Sequence, residues 1–176
     1  MYRASWWLWV LVCASLAQGC GAQPSAAPAT APTTVPAKVE GKPQARLPVI
    51  KLLIGSLELT AEIARTPRQI ETGMMWRTNM AEMEGMIFIF PDAGPRSFWM
   101  KNCPLPLSCA YIAADGTILE LHDMKPFDES SIPSKSDRVQ FVLEVNQGWF
   151  QRHGVRPGTL VSTDLGSLKE TFFQNR

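Results

Sequence analysis

The 176-residue chain lacks the short motifs that mark common catalytic and metal-binding chemistries. It contains no Cys-x-x-Cys pair, no His-Glu-x-x-His zinc motif, no glycine-rich phosphate loop and no Gly-x-Ser-x-Gly nucleophile elbow. Histidine is scarce, with His122 and His153 the only two, so a catalytic triad that used Ser108 would have only these two residues as its general base. The usual metal, nucleotide and hydrolase signatures are therefore missing.

The sequence also lacks the basic excess that attracts nucleic acid. Residues 47–176 carry 13 Lys and Arg against 15 Asp and Glu, so the net charge of this part is −2 (13 − 15). The excess of basic residues lies in the first 46 residues. Because affinity for nucleic acid comes mostly from the neutralisation of phosphates, we expect no nucleic-acid partner.

The apolar run at the start of the chain, residues 6–16, is shorter than the ~20 residues that span a bilayer. With a basic residue at Arg3 and small residues before Cys20, it predicts an export signal over residues 1–20. Residues 17–20, Ala-Gln-Gly-Cys, are similar to a bacterial lipobox, in which Cys20 would receive a diacylglyceryl group. The alternative is simple secretion, with cleavage after the small residues near Ala22. Either predicts an exported protein of the cell envelope, and the lipobox predicts a lipid anchor at the outer membrane or the periplasmic face.

Residues 21–46 are rich in alanine, proline and threonine and contain almost no large apolar side chain. Such a segment cannot bury a core, which predicts a disordered linker between the anchor and a folded domain. The remaining residues, 47–176, are of ordinary size for one domain, in which residues 164–176 could form a tail.

Alternating apolar residues predict strands through most of the domain. The clearest hairpins join residues 49–54 to 57–64 and, through Asp115-Gly116, residues 107–113 to 117–121. Further strands are predicted at 86–90, 97–100, 139–145 and 159–162, and helices from Pro67 to about Arg77 and, after an Asn146 cap, over 147–153. The predicted fold is α+β and predominantly β, a small closed or partly closed antiparallel barrel with two short helices.

Three blocks of this domain carry a specific pattern. They read ETGMMWR at 71–77, GMIFIFPDAGPRSFWMKNCPLPL at 85–107 and FVLEVNQGW at 141–149. In order and composition they resemble the bacterial and archaeal family named domain of unknown function 192, over roughly residues 47–163. That resemblance implies no particular reaction.

The chain departs from the pattern of that family at three positions. The family usually has a threonine in place of Cys103 and an aspartate in place of Ser108, and it often has an arginine in place of Ile70. A site that needs that arginine or that acid would be impaired in this chain.

The best candidate surface is the run Trp99, Lys101 and Asn102. If alternate residues of a strand face the core, Phe98 and Met100 point inward while Trp99 and Lys101 point outward. An aromatic ring beside a cation suits a sugar ring, an aromatic ligand or a partner protein. The alternative is structural, with Trp99 covering one end of the fold and Asn102 bonding the turn that follows.

Arg77 and Glu144 lie at the edges of two blocks, each after apolar residues that predict burial. A charge near a core needs a partner, so we expect the two to pair with each other or with Lys101. An acid held in such a network could act as a general acid or base, although structural pairs of this kind are commoner.

The cysteine and methionine residues are the last distinctive feature of the sequence. Export would expose Cys103 and Cys109 to oxidising conditions, and a disulfide would form only if residues 103–106 bend back. The alternative is two small buried apolar residues. Seven methionines beyond Met1 would suit Cu(I), but core packing explains them more simply, so no metal and no cofactor is predicted.

Together these features predict a binding or accessory module, not an enzyme, tethered to the envelope membrane through Cys20. Its candidate ligand-binding residues are Trp99, Lys101, Asn102, Arg77 and Glu144, and its ligand would be a small molecule, a glycan or a protein. The alternative is an enzyme that acts on an envelope or polysaccharide substrate. A cleft in which these groups converge would favour the enzyme, whereas a flat exposed patch around Trp99 would favour the module.

Overall fold

The computed structural model describes residues 41–174 of the chain. The predicted export signal, the lipidation of Cys20 and the linker as far as residue 40 lie outside the described residues. No helix within residues 41–174 is long and apolar enough to cross a membrane.

The first hairpin and the first helix begin as their local signals predict. Strand β1 (Val49–Ile54) pairs antiparallel with β2 (Leu57–Ala64), as predicted. Helix α1 (Pro67–Thr72) starts with a capping box in which the side chains of Thr66 and Gln69 bond to each other's backbone. It ends at Gly73, whose φ of 45° lies outside the helical region, and is therefore shorter than predicted.

The remaining elements follow in chain order. They are β3 (Glu84–Gly94), β4 (Ser97–Phe98), β5 (Leu107–Ala113), β6 (Ile118–Met124), β7 (Ile132–Pro133), β8 (Val139–Asn146), α2 (Trp149–Arg152), β9 (Val161–Thr163), β10 (Gly166–Ser167) and α3 (Leu168–Phe173). Strands make up 43% and helices 12%, which confirms the prediction of a predominantly β member of the α+β class.

Eight strands form one mixed sheet in the order β10-β9-β1-β2-β3-β8-β5-β6, while β4 and β7 form a separate pair. The neighbours β2 and β3 run parallel because α1 lies in the connection between them, and a parallel pair needs such a crossover. The predicted antiparallel barrel was therefore wrong, because the sheet is not closed into a barrel and its parallel pair makes it mixed. Thr117, just before β6, and Leu160, just before β9, form an isolated antiparallel bridge. This single bridge joins the two edge regions of the sheet, without a continuous ladder of hydrogen bonds between them.

The central strands separate two cores. The sulfur-free core consists of Leu52, Ile54, Leu59, Ala61, Ile87, Ile89, Ala110, Ile112, Ile118, Phe141, Leu143, Val145, Trp149, Phe150, Val155, Val161 and Leu168. The sulfur-rich core consists of Ala64, Met74, Met86, Phe88, Met100, Cys103, Leu107, Cys109, Tyr111, Met124, Val139 and Val142. Because successive side chains of a strand point to opposite faces, Leu143 enters the first core while Val142 and Glu144 face the second.

Three local features differ from the sequence-based expectation. Residues 164–176, considered as a tail, include α3, which has its own capping box and buries Leu168, with the ring of Phe172 6.1 Å from that of Phe141. Helix α2 is capped by Gly148 in the left-handed conformation and not by Asn146, whose side chain instead donates to backbone carbonyls of the loop before β3. The end of the predicted linker contacts the domain, since Gln44 donates to the carbonyls of Gln69 and Gly73.

Candidate functional site

The segment around Trp99 is held in place by backbone bonds from a neighbouring loop. Strand β4 pairs with β7, and the N–H of Met100 donates to the carbonyl of Asp128 at 2.8 Å. Met100 is 1% exposed and Phe98 packs edge-on against Phe88, with ring centroids 4.9 Å apart. Trp99 is 43% exposed. This confirms the expected alternation, with residues 98 and 100 inward and Trp99 outward.

Trp99 and Lys101 lie side by side on the surface. The Lys101 Nζ lies 5.0 Å from the centroid of the Trp99 ring, within the range of a cation–π interaction. The ammonium group restrains the ring, while more than two fifths of the tryptophan surface stays open to solvent. The pair therefore presents an apolar face and a cation side by side.

Three non-glycine residues with positive φ meet beside this surface. They are Trp76 (60°), Asn102 (54°) and Phe127 (61°), each on a different loop. Backbone bonds join the loops, with the Trp76 N–H donating to the carbonyl of Asn102 at 2.7 Å and the Phe127 N–H to that of Cys103 at 3.1 Å. Such conformations cost roughly 1–3 kcal/mol each and cluster at functional sites, so the junction of these loops is a candidate site on backbone grounds alone.

Glu144 lies beneath this junction, on the central strand β8. Its direct cross-strand neighbours are Met86 on β3 and Cys109 on β5, and the residue is 4% exposed. Within residues 41–174 no hydrogen bond or salt bridge reaches its carboxyl group. Burial raises the pKa of Glu144 to about 8, so the carboxyl group is largely protonated at neutral pH.

A cavity of about 30 Å³ connects the buried acid to the surface pair. Trp99, Lys101 and Glu144 all line it, so the structure brings together three of the five candidate residues. Four sulfur-containing side chains also line it, namely Met74, Met75, Met100 and Cys103. The volume is enough for one or two water molecules or for one small chemical group, but not for a sugar ring.

Asn102 and Arg77 lie apart from this cavity. Asn102 acts mainly through its backbone carbonyl, and its side-chain Nδ2 is 4.0 Å from the Met75 sulfur. Arg77 pairs with Glu62, with Nη1 to Oε1 at 2.6 Å and Nη2 to Oε2 at 2.7 Å. The expected pairing of Glu144 with Arg77 or with Lys101 was wrong for Arg77, because the parallel pairing of β2 with β3 sets Glu62 beside the loop after α1. No ion pair joins Lys101 to Glu144 within residues 41–174.

The Arg77–Glu62 pair lines a second and larger cavity of about 230 Å³. Its polar walls include Gln44, Thr60 and Asn79, and Met74 is shared with the smaller cavity. Because both Nη groups of Arg77 are bonded to Glu62, the pair is a structural element of this wall.

Both cysteines of the domain are free and buried in the structure, so the second of the two sequence-based alternatives is the one observed. The Cys103 thiol lies in the loop before β5, where it donates to the carbonyls of Met74 at 3.6 Å and Leu105 at 3.7 Å, whereas Cys109 lies within β5. Burial, and next the charge of Glu144, raise the pKa of Cys103 to about 12 and the pKa of Cys109 further still.

The described residues contain no serine triad around Ser108. Its hydroxyl group accepts from the Gly148 N–H at 2.8 Å and donates to Asp123. The two histidines contact acids elsewhere, His122 with Glu120 and His153 with Glu82.

Two components of the site were not identified from the sequence. Met74 and Met75 line the cavity, and Glu62 is the partner of Arg77. The two methionines had a signal in the sequence, because they lie in the patterned block ETGMMWR. Glu62 had no such signal, since pairing between strands that are distant in the sequence decides its partner.

The fold and site define a mostly β domain with a mixed sheet and a small cleft over a buried acid. The model of domain of unknown function 192 (DUF192), described as "Uncharacterized ACR", matches residues 50–163. The chain belongs to this family, as the three blocks suggested.

Two solved structures are similar to this chain. A candidate transcription regulator from Sinorhizobium meliloti 1021 is 40% identical, with a TM-score of 0.61, over 65% of this chain and 92% of that chain. A protein of unknown function from Novosphingobium aromaticivorans DSM 12444 is 29% identical, with a TM-score of 0.62, over 78% of this chain and 94% of that chain. A search of curated protein sequences found no match.

Proposed function

We propose that this protein is a non-catalytic binding or accessory module, tethered to the cell envelope, whose ligand docks on Trp99 and Lys101 above Glu144. The observation that carries the proposal is that these three side chains line one cavity while the Glu144 carboxyl group lacks a partner among the described residues. A buried polar group without a partner is costly, so a ligand that supplies one gains affinity at this position.

The dimensions of the cleft favour a module over an enzyme that encloses its substrate. The cavity of about 30 Å³ admits only a small group, so most of an organic ligand would rest on the exposed ring of Trp99. An exposed indole beside an ammonium group suits a sugar ring, an aromatic group or a protein side chain.

The binding site can be tested by screening the full chain against glycans and metabolites. We expect Trp99→Ala and Lys101→Ala each to abolish capture of a ligand that the wild type binds. Leu165→Ala and Lys169→Ala remove an exposed side chain of similar kind outside the cleft, so they should leave capture unchanged. Equal capture by all five proteins would refute the proposed site.

The tether is proposed from the export signal and the lipobox-like residues before Cys20. Labelled palmitate should be incorporated by the wild type and lost in Cys20→Ala. Cys13→Ala is the matched control, because Cys13 lies within the apolar run that processing would remove. Export without label in any of the three proteins would favour simple secretion.

One observation favours a second function, an enzyme acting on an envelope or polysaccharide substrate. Burial raises the pKa of Glu144 to about 8, so this group carries a proton at neutral pH that it could donate as a general acid. Turnover of a polysaccharide that is lost in Glu144→Gln, with binding retained, would favour the enzyme. Binding without turnover in either protein would favour the module.

The description of the Sinorhizobium protein as a candidate transcription regulator is not extended to this chain. Residues 47–176 carry more acidic than basic residues, which offers no general attraction for nucleic acid.

A further inference from the structure

We propose that the cavity between Trp99 and Glu144 is a binding site for a soft monovalent metal cation, Cu(I), held by sulfur. The ligand atoms would come from the side chains that line the cavity, namely the thioethers of Met74, Met75 and Met100, the thiol of Cys103 and the carboxyl group of Glu144. This inference rests on the proposed function, because it names a ligand for the same cleft.

The first support is the distribution of sulfur in the molecule. Six of the twelve residues of the sulfur-rich core are methionine or cysteine, whereas the sulfur-free core has none among seventeen. Methionine fills irregular gaps in any core, so packing alone does not explain why every sulfur of the two cores lies on the face that carries Glu144. Three of the six, Met74, Met100 and Cys103, line the cavity, and a cation site there accounts for the position of these three.

The second support is the buried acid. Glu144 is 4% exposed, lines the cavity and has no bonded partner within residues 41–174. A cation transferred from water into a buried site must be compensated by a nearby negative charge. Ionised Glu144 would supply that charge, and the bound cation would supply the missing partner of the carboxylate.

The available ligands select the type of metal. The described residues contain no group of three or more His, Cys, Asp and Glu side chains suited to a metal, which argues against a zinc-type site there. Thioether and thiol ligands are soft and select Cu(I) among the common biological cations. A cavity of about 30 Å³ is also small enough that a single ion with three or four protein ligands fills it.

The surface pair would close the site. Trp99 lines the cavity, and its indole ring would attract a cation bound there. Lys101, whose Nζ lies 5.0 Å from the ring centroid, also lines the cavity, and its ammonium group would turn to solvent when the cation binds, because like charges repel. The reaction is a ligand exchange without a change of oxidation state: Cu(I) leaves a chelator, the Cys103 S–H bond breaks and a Cu–S bond forms. The thiol proton leaves to solvent, and the proton of the Glu144 carboxyl group leaves with it where that group is protonated.

The test uses the full chain with Cys13→Ser and Cys20→Ser, so that thiols outside the domain do not bind metal. Cu(I) would be titrated under reducing, oxygen-free conditions in competition with a chromophoric Cu(I) chelator. We expect one Cu(I) per chain and the release of a proton from Cys103. Met100→Leu and Cys103→Thr should each weaken affinity about tenfold or more, since even residues outside the first ligand shell commonly contribute that much.

Matched controls separate ligation from packing. Met86→Leu and Met124→Leu change methionines that are buried in the same core but do not line the cavity, so their affinity should equal that of the parent. These exchanges nearly conserve volume, and Cys103→Thr introduces the residue usual in the family, so thermal melts should show folded variants. Proton release per bound Cu(I) should fall by one in Cys103→Thr, because only the Glu144 carboxyl group can then lose a proton.

The outcomes separate this inference from the proposed function. Absence of Cu(I) binding, or equal affinity in the parent and in Met100→Leu, overturns the metal site. If Cu(I) fails to bind while Trp99→Ala still abolishes capture of an organic or protein ligand, the proposed function stands and the metal site does not. If the parent protein binds neither Cu(I) nor any organic or protein ligand, both the metal site and the proposed function are overturned.

Discussion

The two faces of strands β3, β5 and β8 support different kinds of core. One face builds the sulfur-free core, which α2 and α3 cover with Trp149, Phe150 and Leu168. The other builds the sulfur-rich core, which holds the buried acid Glu144, a cavity and three loops in strained conformations. The comparison indicates that the larger apolar core and the candidate site lie on opposite faces of one sheet.

The division works because neighbouring residues of a strand point in opposite directions. Leu143 and Val145 anchor β8 in the sulfur-free core, and Glu144 between them is thereby held rigidly toward the cavity. A site whose groups project from a packed strand is positioned more accurately than one built on loops alone. The sulfur-free core therefore orients the acid that the other face uses.

The largest expected effect tests whether the sulfur-free core carries most of the stability. Phe141 is fully buried there, and Phe141→Ala should lower the free energy of unfolding by about 3–5 kcal/mol through loss of burial and a residual cavity. Denaturant titration measures the change. A loss under about 1 kcal/mol would show that this face is not the stabilising one.

The next effect concerns the ion pair at the edge of the sulfur-rich face. The side chains of Arg77 and Glu62 are only 13% and 10% exposed, so Arg77→Ala should cost about 3 kcal/mol by leaving Glu62 without its partner. The double variant with Glu62→Ala should lose less than the sum of the single losses. Strict additivity in denaturant titrations would contradict a direct coupling.

The free energy of unfolding should fall as pH rises, because Glu144 resists ionisation in the folded state. Its folded-state pKa of about 8 lies above the unfolded value of 4.5, so between these values the unfolded state releases a proton that the folded state keeps. Stability gained from this group is therefore complete below pH 4.5 and falls by a few kcal/mol as pH rises through 8.

Denaturant titrations at pH 5, 7 and 9 on the wild type and Glu144→Gln measure this effect. Because glutamine does not ionise, the variant should become more stable relative to the wild type as pH increases. Parallel pH profiles of the two proteins would show that Glu144 has an ordinary pKa and is not buried in a dry environment.

The smallest expected effect concerns the methionines of the sulfur-rich core. Met124→Leu nearly conserves volume at a fully buried position and should change the free energy of unfolding by less than about 1.5 kcal/mol. Such tolerance would mean that packing does not require sulfur on this face. A loss comparable to that of Phe141→Ala would instead remove the energetic contrast between the two cores.

Several elements could be predicted because their signals are local. The bounds of β1, β2 and β5 agree with the alternation of apolar residues, and Thr66 with Gln69 marks the start of α1. The C-terminal helix α3 was missed although Ser167 and Glu170 form the same kind of capping box, because six residues are too few to show a helical period. The candidate residues Trp99, Lys101 and Glu144 were chosen from patterned blocks, and the structure places them around one cavity.

Local patterns were enough to predict the longer strands, the start of α1, the alternation around Trp99 and the family, since each depends on residues close together in the chain. Only the tertiary structure decided that β2 and β3 run parallel, and hence that Glu62, Met86 and Glu144 lie side by side across three strands. That register assigns Arg77 to Glu62, whereas Glu144 lines the cavity with the sulfur-containing side chains and has no bonded partner within residues 41–174. The physical reason is that cross-strand pairing joins segments more than 20 and up to about 60 residues apart, and no local propensity encodes which acid meets which base.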